Sequence, residues 1–496
     1  MKKMFKAFFT VTAISVATRF ISFIFKIYIS RKLGAEIMGV YQICLSVFML
    51  FVSLAASGLP VTLSRFTAET QATSNLNRQK ASVSTALLLS LMISITVCTV
   101  FYCFPALLDY IFTDRRCANL FIILLPTMIT TSVYTISRGW FWGRKDFFIF
   151  SVTEAGDEII KIIMCGVFIS CFGGVIALEY SLAYAMLVSD IITAVTLAIL
   201  FFVKGGRLAA PTLSKPIIKS ATPLTVTRMC GSVMSTFISL VLPSILIASC
   251  NLTSAEATAE FGRATGMVMP LILAPSSVIG SLSVVIIPEI AARNASKDTS
   301  INRTLTKALN FTCIVAAAAF IVFAGCGETI GTLLYDDTAV GSYLAAAAAI
   351  VFPISVNGIV VSMLNSFGKE NQTFISHLIG YAFLATAILV LPRFTGIYGY
   401  FIALFIFHTV TMIVNLVFLS KKVPLSGRSS LKCLMPVGLS LLLAVGVRAM
   451  SKAMMPIGEI AACAISMTCG ALAMYIALAL LKMAPTPRAA LKMLRK

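Results

Sequence analysis

The chain has 496 residues, of which 59% are hydrophobic and 12% are charged, and its formal net charge is +20. Its mean hydropathy of +0.97 excludes a water-soluble globular protein. The positive charge does not indicate nucleic-acid binding, because no basic stretch lies within a folded polar domain. The composition instead predicts a polytopic membrane protein whose basic residues set its orientation and contact anionic lipids.

Apolar runs long enough to cross a bilayer recur along the whole chain. A helix needs roughly 20 apolar residues to span a hydrocarbon core of about 30 Å. About fourteen runs meet this requirement, so we expect an all-α fold with about 14 transmembrane helices. Their approximate ranges are 8–29, 38–63, 81–104, 117–137, 151–172, 180–203, 217–249, 263–290, 304–326, 339–363, 373–392, 397–420, 431–450 and 458–482.

Lysine and arginine are unevenly distributed between successive connecting segments. They are dense in the segments on the side of the N-terminus, for example at Arg138 and Arg144, and sparse on the other side, where Arg116 lies. Because cytoplasmic loops carry the excess of these residues, both termini are predicted to face the cytoplasm. The first apolar run is too long for a cleavable signal peptide and carries Arg19.

The first predicted helix carries two cations inside its apolar run. Ser15, Arg19, Ser22 and Lys26 step by four, three and four residues, which places them on one helix face. A cation at the bilayer centre costs about 2.5–3.5 kcal/mol, so such residues almost always face a bundle interior or a wet cavity. Arg19, Ser22 and Lys26 are therefore candidate ligands for an anionic group. Alternatively, Lys26 snorkels to the interface and Arg19 pairs with a buried acid such as Asp190.

Three short segments recur in the same order in the two halves of the chain. "ATRF" around Arg19 corresponds to "VTRM" around Arg228. "GLPVTLSRF" and "VIIPEIAAR" each place an arginine five residues after a proline, Pro60 or Pro288. "FWGRKDFFIFS" corresponds to "SFGKENQTFIS" after the fourth helix of each half. Together these matches indicate an internal repeat.

The repeat predicts the domain organisation. An even number of spans in each unit gives a parallel repeat about an axis along the membrane normal. We therefore expect two six-helix lobes, 1–210 and 211–425, followed by two C-terminal helices and a basic cytoplasmic tail in 426–496. Two lobes with a cleft between them are typical of an alternating-access carrier.

The fifth and sixth predicted helices carry acidic residues within the membrane. Glu154, Asp157, Glu158 and Lys161 lie close together on one helix, and Asp157 and Lys161 form an i, i+4 pair. Asp190 lies midway along the next helix. Glu154, Asp157, Lys161 and Asp190 are a candidate cavity charge cluster. A structural ion pair is the alternative for Asp190, which could also couple transport to protons or sodium.

The seventh predicted helix repeats the polar stripe of the first. Arg228 and Ser232 are four residues apart on one face, and we expect them to bind substrate on the opposite wall of the central cleft. Candidate hinges are Pro60, Pro243, Pro275 and Pro288. Proline bends are tolerated in membranes where neighbours satisfy the released backbone groups, and static kinks are the alternative.

Motifs for soluble catalysis are absent from the sequence. No GxxxxGK[ST], GxSxG, HExxH or CxxC pattern occurs, and no loop is long enough to hold a catalytic domain. His377 and His408 lie on separate spans without ligand-like neighbours, so we interpret them as polar packing residues. We predict no enzyme activity, no metal and no cofactor. The candidate energy sources are protons, sodium and the membrane potential.

Several segments carry a family resemblance. "TRFISFIFKIYISRKLGAEIMGVYQI" at 18–43, "GLPVTLSRFTAE" at 58–69, "EIIKII" at 158–163, and "TGMVMPLILAP" with "VIIPEIA" at 265–291 resemble the stage V sporulation protein B family. That family belongs to the polysaccharide-transporter branch of the multidrug, oligosaccharidyl-lipid and polysaccharide (MOP) flippase superfamily and is similar to lipid II flippases. The resemblance implies that Arg19 matches the arginine of the first helix that faces the cavity in lipid II flippases.

The resemblance implies a flippase of the bacterial plasma membrane. Its implied substrate is a polyprenyl-pyrophosphate-linked saccharide, moved from the inner to the outer leaflet for cell-wall, spore-cortex or polysaccharide synthesis. Membrane lipids are its other partners, and a monomer suffices. The alternatives are a cation-coupled multidrug exporter of the same superfamily and a prenyl-phosphate transferase. A positive central cavity favours the flippase, whereas a negative one favours the exporter.

Overall fold

The computed structural model describes residues 2–480 except 74, 173–176, 213, 278, 281–289, 291–300, 424–426, 455 and 457. The described residues form helices and short connections and contain no strand. Contacts divide the chain into two compact units. The first consists of Met1–Ser244 with Ser254–Gly262, and the second of Ile245–Thr253 with Arg263–Lys496.

The first unit is built from ten helices among the described residues, the ninth of which ends in the second unit. They are α1 (Lys2–Ala56), α2 (Leu59–Ala72), α3 (Leu76–Cys103), α4 (Ala106–Ile111), α5 (Arg115–Leu124), α6 (Thr127–Gly143), α7 (Phe147–Phe172), α8 (Leu178–Val203), α9 (Ser214–Cys250) and α10 (Ser254–Gly262).

Helix α1 is bent at one glycine. Gly34 has φ of 82° and ψ of 170°, a conformation that glycine adopts without the steric cost that a Cβ would bring. The two apolar runs predicted at 8–29 and 38–63 therefore lie on either side of this bend. The second run continues through a short break into α2, which begins with Pro60 in its first turn. A proline is tolerated there because the first N–H groups of a helix have no partner within it.

An aromatic core holds α6 against its neighbours. Trp140 is buried, and its ring centroid lies 4.9 Å from that of Phe141 and 4.7 Å from that of Phe201 on α8. Gly139 allows α6 to approach α2, because a Cβ there would lie 2.7 Å from the carbonyl oxygen of Pro60. This packing fixes the side of α6 that faces α7.

The second unit contains a π-helix (Arg263–Val268) followed by a run of helices. Within the part of the chain that is described, these are α11 (269–277), α12 (Ile301–Tyr335), α13 (Thr338–Ala347), a 3-10 turn (Ala348–Ile350), α14 (Val351–Ser366), α15 (Glu370–Val390), α16 (Pro392–Thr395), α17 (Tyr398–Ser420), α18 (Gly427–Ala453) and α19 (Glu459–Leu480). Helices α18 and α19 pack on α12, where Val447 and Cys463 share one buried cluster with Ile321.

Ten helices in the described residues are long and apolar enough to cross a membrane, or eleven if the pair α5 and α6, bent by 45°, forms one span. The chain is therefore a multi-pass membrane protein with an all-α fold, as predicted, but the count of fourteen is not confirmed. Two predicted spans fall in the single bent segment Val16–Gln71. Helix α7 carries too many charged residues to qualify by composition, and the predicted span 263–290 lies partly outside the described residues.

The predicted lobe boundary and hinge roles stay predictions. Residues 211–244 belong to the first compact unit, so the lobe boundary at 210 and 211 stays a prediction that rests on the repeat. Pro243 lies within the uninterrupted helix α9, and Pro275 lies within α11. Pro288 falls outside the described residues. Hinge roles for these prolines and for Pro60 stay predictions.

Candidate functional site

A cavity of about 300 Å³ lies inside the first unit between α1, α6, α7 and α8. Each of the four helices contributes polar side chains to its wall. The lining residues are Thr18, Arg19 and Ser22 on α1, Thr130, Thr131 and Tyr134 on α6, Glu154, Asp157 and Glu158 on α7, and Met186, Asp190 and Thr193 on α8.

Arg19 is the cation on the wall of this cavity. The neighbouring hydroxyls are bound to their own helix: Thr18 Oγ1 donates to the carbonyl of Ile14 at 2.9 Å, and Ser22 Oγ donates to the carbonyl of Thr18 at 3.0 Å. The Arg19 side chain is exposed and makes no hydrogen bond or ion pair with any residue that the structure describes. Its guanidinium is therefore available to an anionic ligand.

Asp157 is the centre of a hydrogen-bond network between α7 and α8. Its Oδ1 accepts from Ser189 Oγ at 2.6 Å and from Thr193 Oγ1 at 2.9 Å. Its Oδ2 lies 3.4 Å from Lys161 Nζ, so the ion pair expected from the i, i+4 spacing is present. Lys161 also lies 3.3 Å from a carboxylate oxygen of Glu158. One lysine thus compensates two of the carboxylates in this region.

Two further carboxylates line the cavity without a direct ion pair. Glu154 and Asp190 both line it and are half-buried, and neither makes a hydrogen bond or ion pair within the described parts of the chain. Arg19 and Asp190 therefore share one cavity but do not form the ion pair that was the structural alternative. The acidic end of the cavity thus brings four carboxylates together, with Lys161 beside two of them, and like charges at such a site repel one another.

The remaining predicted binding residues lie away from the lining of this cavity. Lys26 is half-buried on α1, two turns beyond Arg19. Arg228 Nη1 donates to the carbonyl of Ser57 at 3.0 Å, and Ser232 Oγ lies 2.6 Å from Ser53 Oγ. Both contacts connect α9 to the end of α1 within the first unit. Substrate binding by Lys26, Arg228 and Ser232 stays a prediction.

Sequence reasoning missed the hydroxyls that complete the site. Ser189 and Thr193 are one turn apart on α8, on either side of Asp190 in the sequence. Thr130 and Tyr134 have the same spacing on α6. A search for hydroxyls at i, i+4 in otherwise apolar spans would have found both pairs. It would not have identified the carboxylate to which the α8 pair donates.

Histidine and cysteine side chains form no such site in the described residues. No group of three or more His, Cys, Asp or Glu side chains there is arranged to hold a metal ion, and the cysteines described are not in disulfides. His377 Nδ1 lies 2.7 Å from the carbonyl oxygen of Thr373 on its own helix. Its ring packs near Phe407, which also contacts His408.

Comparisons with known proteins agree on the fold. A family described as polysaccharide biosynthesis protein matches residues 4–293. Stage V sporulation protein B of Bacillus subtilis (strain 168) is 21% identical over 432 residues, which cover 84% of this chain and 83% of that protein.

Two solved structures extend the comparison. The lipid II flippase MurJ in an inward closed conformation has a TM-score of 0.73 at 15% identity, over 95% of this chain and 99% of that one. A multidrug resistance MATE family transporter of the MOP superfamily, facing inward, has a TM-score of 0.67 at 18% identity, over 82% of this chain and 94% of that one. The resemblance predicted from the sequence is confirmed: with a match over more than half of its length, this chain belongs to the polysaccharide biosynthesis protein family.

Proposed function

We propose that the protein is a flippase that moves a polyprenyl-pyrophosphate-linked saccharide from the inner to the outer leaflet by alternating access. The membrane is the bacterial plasma membrane, both termini face the cytoplasm, and the product supplies cell-wall, spore-cortex or polysaccharide synthesis. The family match and the likeness to a lipid II flippase support a lipid-linked glycan as the substrate. A single chain suffices for this activity.

The observation that carries the proposal is the position of Arg19. Its guanidinium lies on the wall of a polar cavity and has no partner in the described residues. A pyrophosphate cannot cross hydrocarbon unshielded, and a guanidinium matches phosphate geometry with two parallel hydrogen bonds. Arg19 would thus stabilise the charged part of the substrate while the prenyl chain stays in lipid.

The acidic end of the cavity supports coupling to a cation. Asp157 is held by two hydroxyls from α8 and by Lys161, and Asp190 lies nearby on the same wall. We propose that Asp190, together with Asp157, takes up the coupling proton or sodium ion. The alternative energy source is the membrane potential, which would act on the net charge of the substrate without an ion at these residues.

A multidrug exporter is the second candidate, and the charge of the cavity favours it. Four carboxylates line this cavity against the guanidinium of Arg19, and Lys161 pairs with two of them, so the acids still outnumber the bases and suit an organic cation better than an anion. The fold does not decide between the two functions, because both the MATE transporter and MurJ share it.

Reconstitution in liposomes separates the two functions. We expect wild-type protein to move a fluorescent polyprenyl-diphosphate saccharide between leaflets, measured by its protection from a membrane-impermeant quencher. Arg19→Ala should slow this at least about tenfold, since a hydrogen bond to a charged group contributes about 1.5–3 kcal/mol. Arg65→Ala is the matched control, because Arg65 is exposed and pairs with Glu69 on its own helix.

The same vesicles test the exporter. Uptake of an organic cation such as ethidium, abolished by Asp190→Asn, together with no movement of the prenyl lipid, would replace the flippase by the exporter. Movement of the lipid that is equally fast in wild type and Arg19→Ala would remove Arg19 from the proposed mechanism.

A further inference from the structure

A second arginine, outside the cavity lining, packs against two aromatic rings near the end of α6. The guanidinium carbon of Arg138 is 4.2 Å from the ring centroid of Trp142 and 4.5 Å from that of Phe150 on α7. Tyr134, Arg138 and Trp142 are spaced by four residues and share one face of α6. The ring of Phe150 lies near the rings of both Tyr134 and Trp142, so the three rings form one aromatic cluster beside the arginine.

This guanidinium lacks an acceptor. Nε of Arg138 is buried and has no hydrogen-bond partner, and no carboxylate pairs with the side chain in the described part of the molecule. Buried donors in native proteins are nearly always satisfied, and leaving one unpaired destabilises the fold. The described residues therefore leave this guanidinium with hydrogen-bonding capacity for a ligand.

Arg144 directly follows the last residue of α6 and also packs against an aromatic ring. Its guanidinium carbon lies 4.5 Å from the ring centroid of Trp140. Unlike Arg138, it has a protein acceptor, because its Nη1 donates to the carbonyl of Lys204 at 2.9 Å. Each arginine thus makes its own cation–π contact. Only Arg144 also has a hydrogen-bond acceptor among the described residues.

The aromatic contacts leave the hydrogen-bonding groups of Arg138 without a partner. The rings of Trp142 and Phe150 have centroids 5.7 Å apart and meet edge to face, so they border neighbouring sides of the guanidinium and do not cover its two faces. Contact with aromatic rings leaves the N–H groups of a guanidinium able to donate. Two parallel hydrogen bonds from these groups suit a phosphate oxygen pair. Tyr134 and Glu154 line the cavity. Arg138 lies one turn after Tyr134 on α6, and Phe150 lies one turn before Glu154 on α7. An anion bound here therefore lies at the end of the cavity where α6 ends and α7 begins.

We propose that Arg138 is a phosphate-binding residue, which receives the phosphate of a lipid headgroup at this end of the cavity. On the proposed function, that headgroup is the diphosphate of the lipid-linked substrate. Arg138 then binds the diphosphate before Arg19 does. The bulk phospholipids of the membrane carry the same phosphate chemistry and are the other source.

Binding in nanodiscs tests this assignment. The protein is placed in phosphatidylcholine discs and titrated with a polyprenyl diphosphate, and affinity is measured for wild type, Arg138→Gln, Arg138→Lys and Arg144→Gln. We expect Arg138→Gln to bind at least about tenfold more weakly and Arg138→Lys to recover part of the loss, since lysine keeps the charge but not the planar fork. Arg144→Gln should bind like wild type.

Tryptophan emission gives a local readout in the same samples. The chain has two tryptophans, and both lie beside these arginines, Trp142 at Arg138 and Trp140 at Arg144. Titration should change the emission of wild type and leave that of Trp142→Phe unchanged. Thermal unfolding of ligand-free Arg138→Gln that matches wild type excludes misfolding as the cause of weaker binding.

The outcomes separate this inference from the function it rests on. Equal affinity in wild type and Arg138→Gln, or an equal loss in Arg144→Gln, would overturn the role of Arg138 while the flippase stands. Absence of prenyl-diphosphate binding by wild type would instead remove the proposed function. Phosphatidylglycerol that co-purifies with the protein distinguishes the other source of phosphate. If wild type retains this lipid and Arg138→Gln loses it but keeps its affinity for prenyl diphosphate, Arg138 binds bulk phospholipid and its assignment to the substrate is wrong.

Discussion

The interiors of the two units are polar in different ways. In the first, α7 and α8 are joined through a charged group, Asp157, which contacts Lys161 and accepts from Ser189. In the second, α14 and α17 are joined by two buried amides, with Asn415 Nδ2 donating to Asn357 Oδ1 at 2.8 Å. Neither α14 nor α17 carries a lysine, arginine, aspartate or glutamate.

This difference is the reason for assigning the proposed transport chemistry to the first unit. A neutral hydrogen bond between membrane helices costs little to bury and fixes their packing. Ionisable groups inside a membrane are costly and are usually retained for function. The first unit combines such groups with a cavity, whereas the amide pair in the second has the features of a structural contact. Substitutions in each unit test this contrast.

The largest effect is expected from Asp157→Ala. It removes the acceptor of Ser189 and Thr193 and one partner of Lys161, whose side chain is only 21% exposed. Breaking a buried ion pair by removing one partner costs about 3–5 kcal/mol, and the partial exposure of this pair places the loss near the lower value. Thermal unfolding in detergent measures it as a lower melting temperature.

A combined variant tests the physical reason. Asp157→Ala combined with Lys161→Met and Glu158→Gln leaves neither a lysine nor a carboxylate of these ion pairs without its partner, so it should regain part of the stability. A combined variant no more stable than Asp157→Ala would mean that the hydroxyl contacts, and not the ion pair, hold α7 to α8.

A smaller effect is expected from Asn415→Ala in the second unit. It leaves Asn357 without the amide donor that its Oδ1 accepts from. Hydrogen bonds between membrane helices contribute about 0.6–1.7 kcal/mol, so stability should fall by about 1 kcal/mol. Transport rate per folded molecule should be unchanged. A loss of transport at normal stability would show that the amides also take part in function.

The smallest effect is expected at the ion pairs near the helix ends. Arg116 lies 2.7 Å from Glu36 and 2.8 Å from Asp114, with 35% of its side chain exposed. Exposed pairs contribute about 0.2–1 kcal/mol, and salt screens them. Arg116→Ala should therefore lower the melting temperature only slightly, and the difference from wild type should shrink at high salt. A salt-independent loss would indicate a packing role.

Much of the fold could be predicted from the sequence because the membrane imposes a simple rule. Runs of about 20 apolar residues must be helices, which gave the all-α class and most span positions. The count was harder to predict, because Gly34 joins two runs into one bent helix and α7 is too charged to be recognised by hydropathy. The grouping of residues 211–244 with the first unit depends on contacts that no local pattern encodes.

The site was only partly predictable. Helical spacing identified Arg19, Ser22 and the acids of α7, since residues three or four apart share a face. It could not show that Arg19 has no acid partner in the described residues, or that Ser189 and Thr193 bind Asp157. The sequence pattern interprets Arg138 only as one of the basic residues that set the orientation in the membrane. Its contact with the ring of Phe150 could not be predicted, because that ring belongs to another helix.

Retention of an anionic lipid by the purified protein tests whether Arg19 binds the diphosphate of the substrate. Native mass spectrometry in mild detergent would compare wild type with Arg19→Ala, and with Arg65→Ala as the control. We expect a bound polyprenyl-diphosphate saccharide in wild type and in Arg65→Ala, and its loss in Arg19→Ala at unchanged thermal stability. Equal retention in all three proteins, or no anionic lipid in any of them, would contradict this role of Arg19.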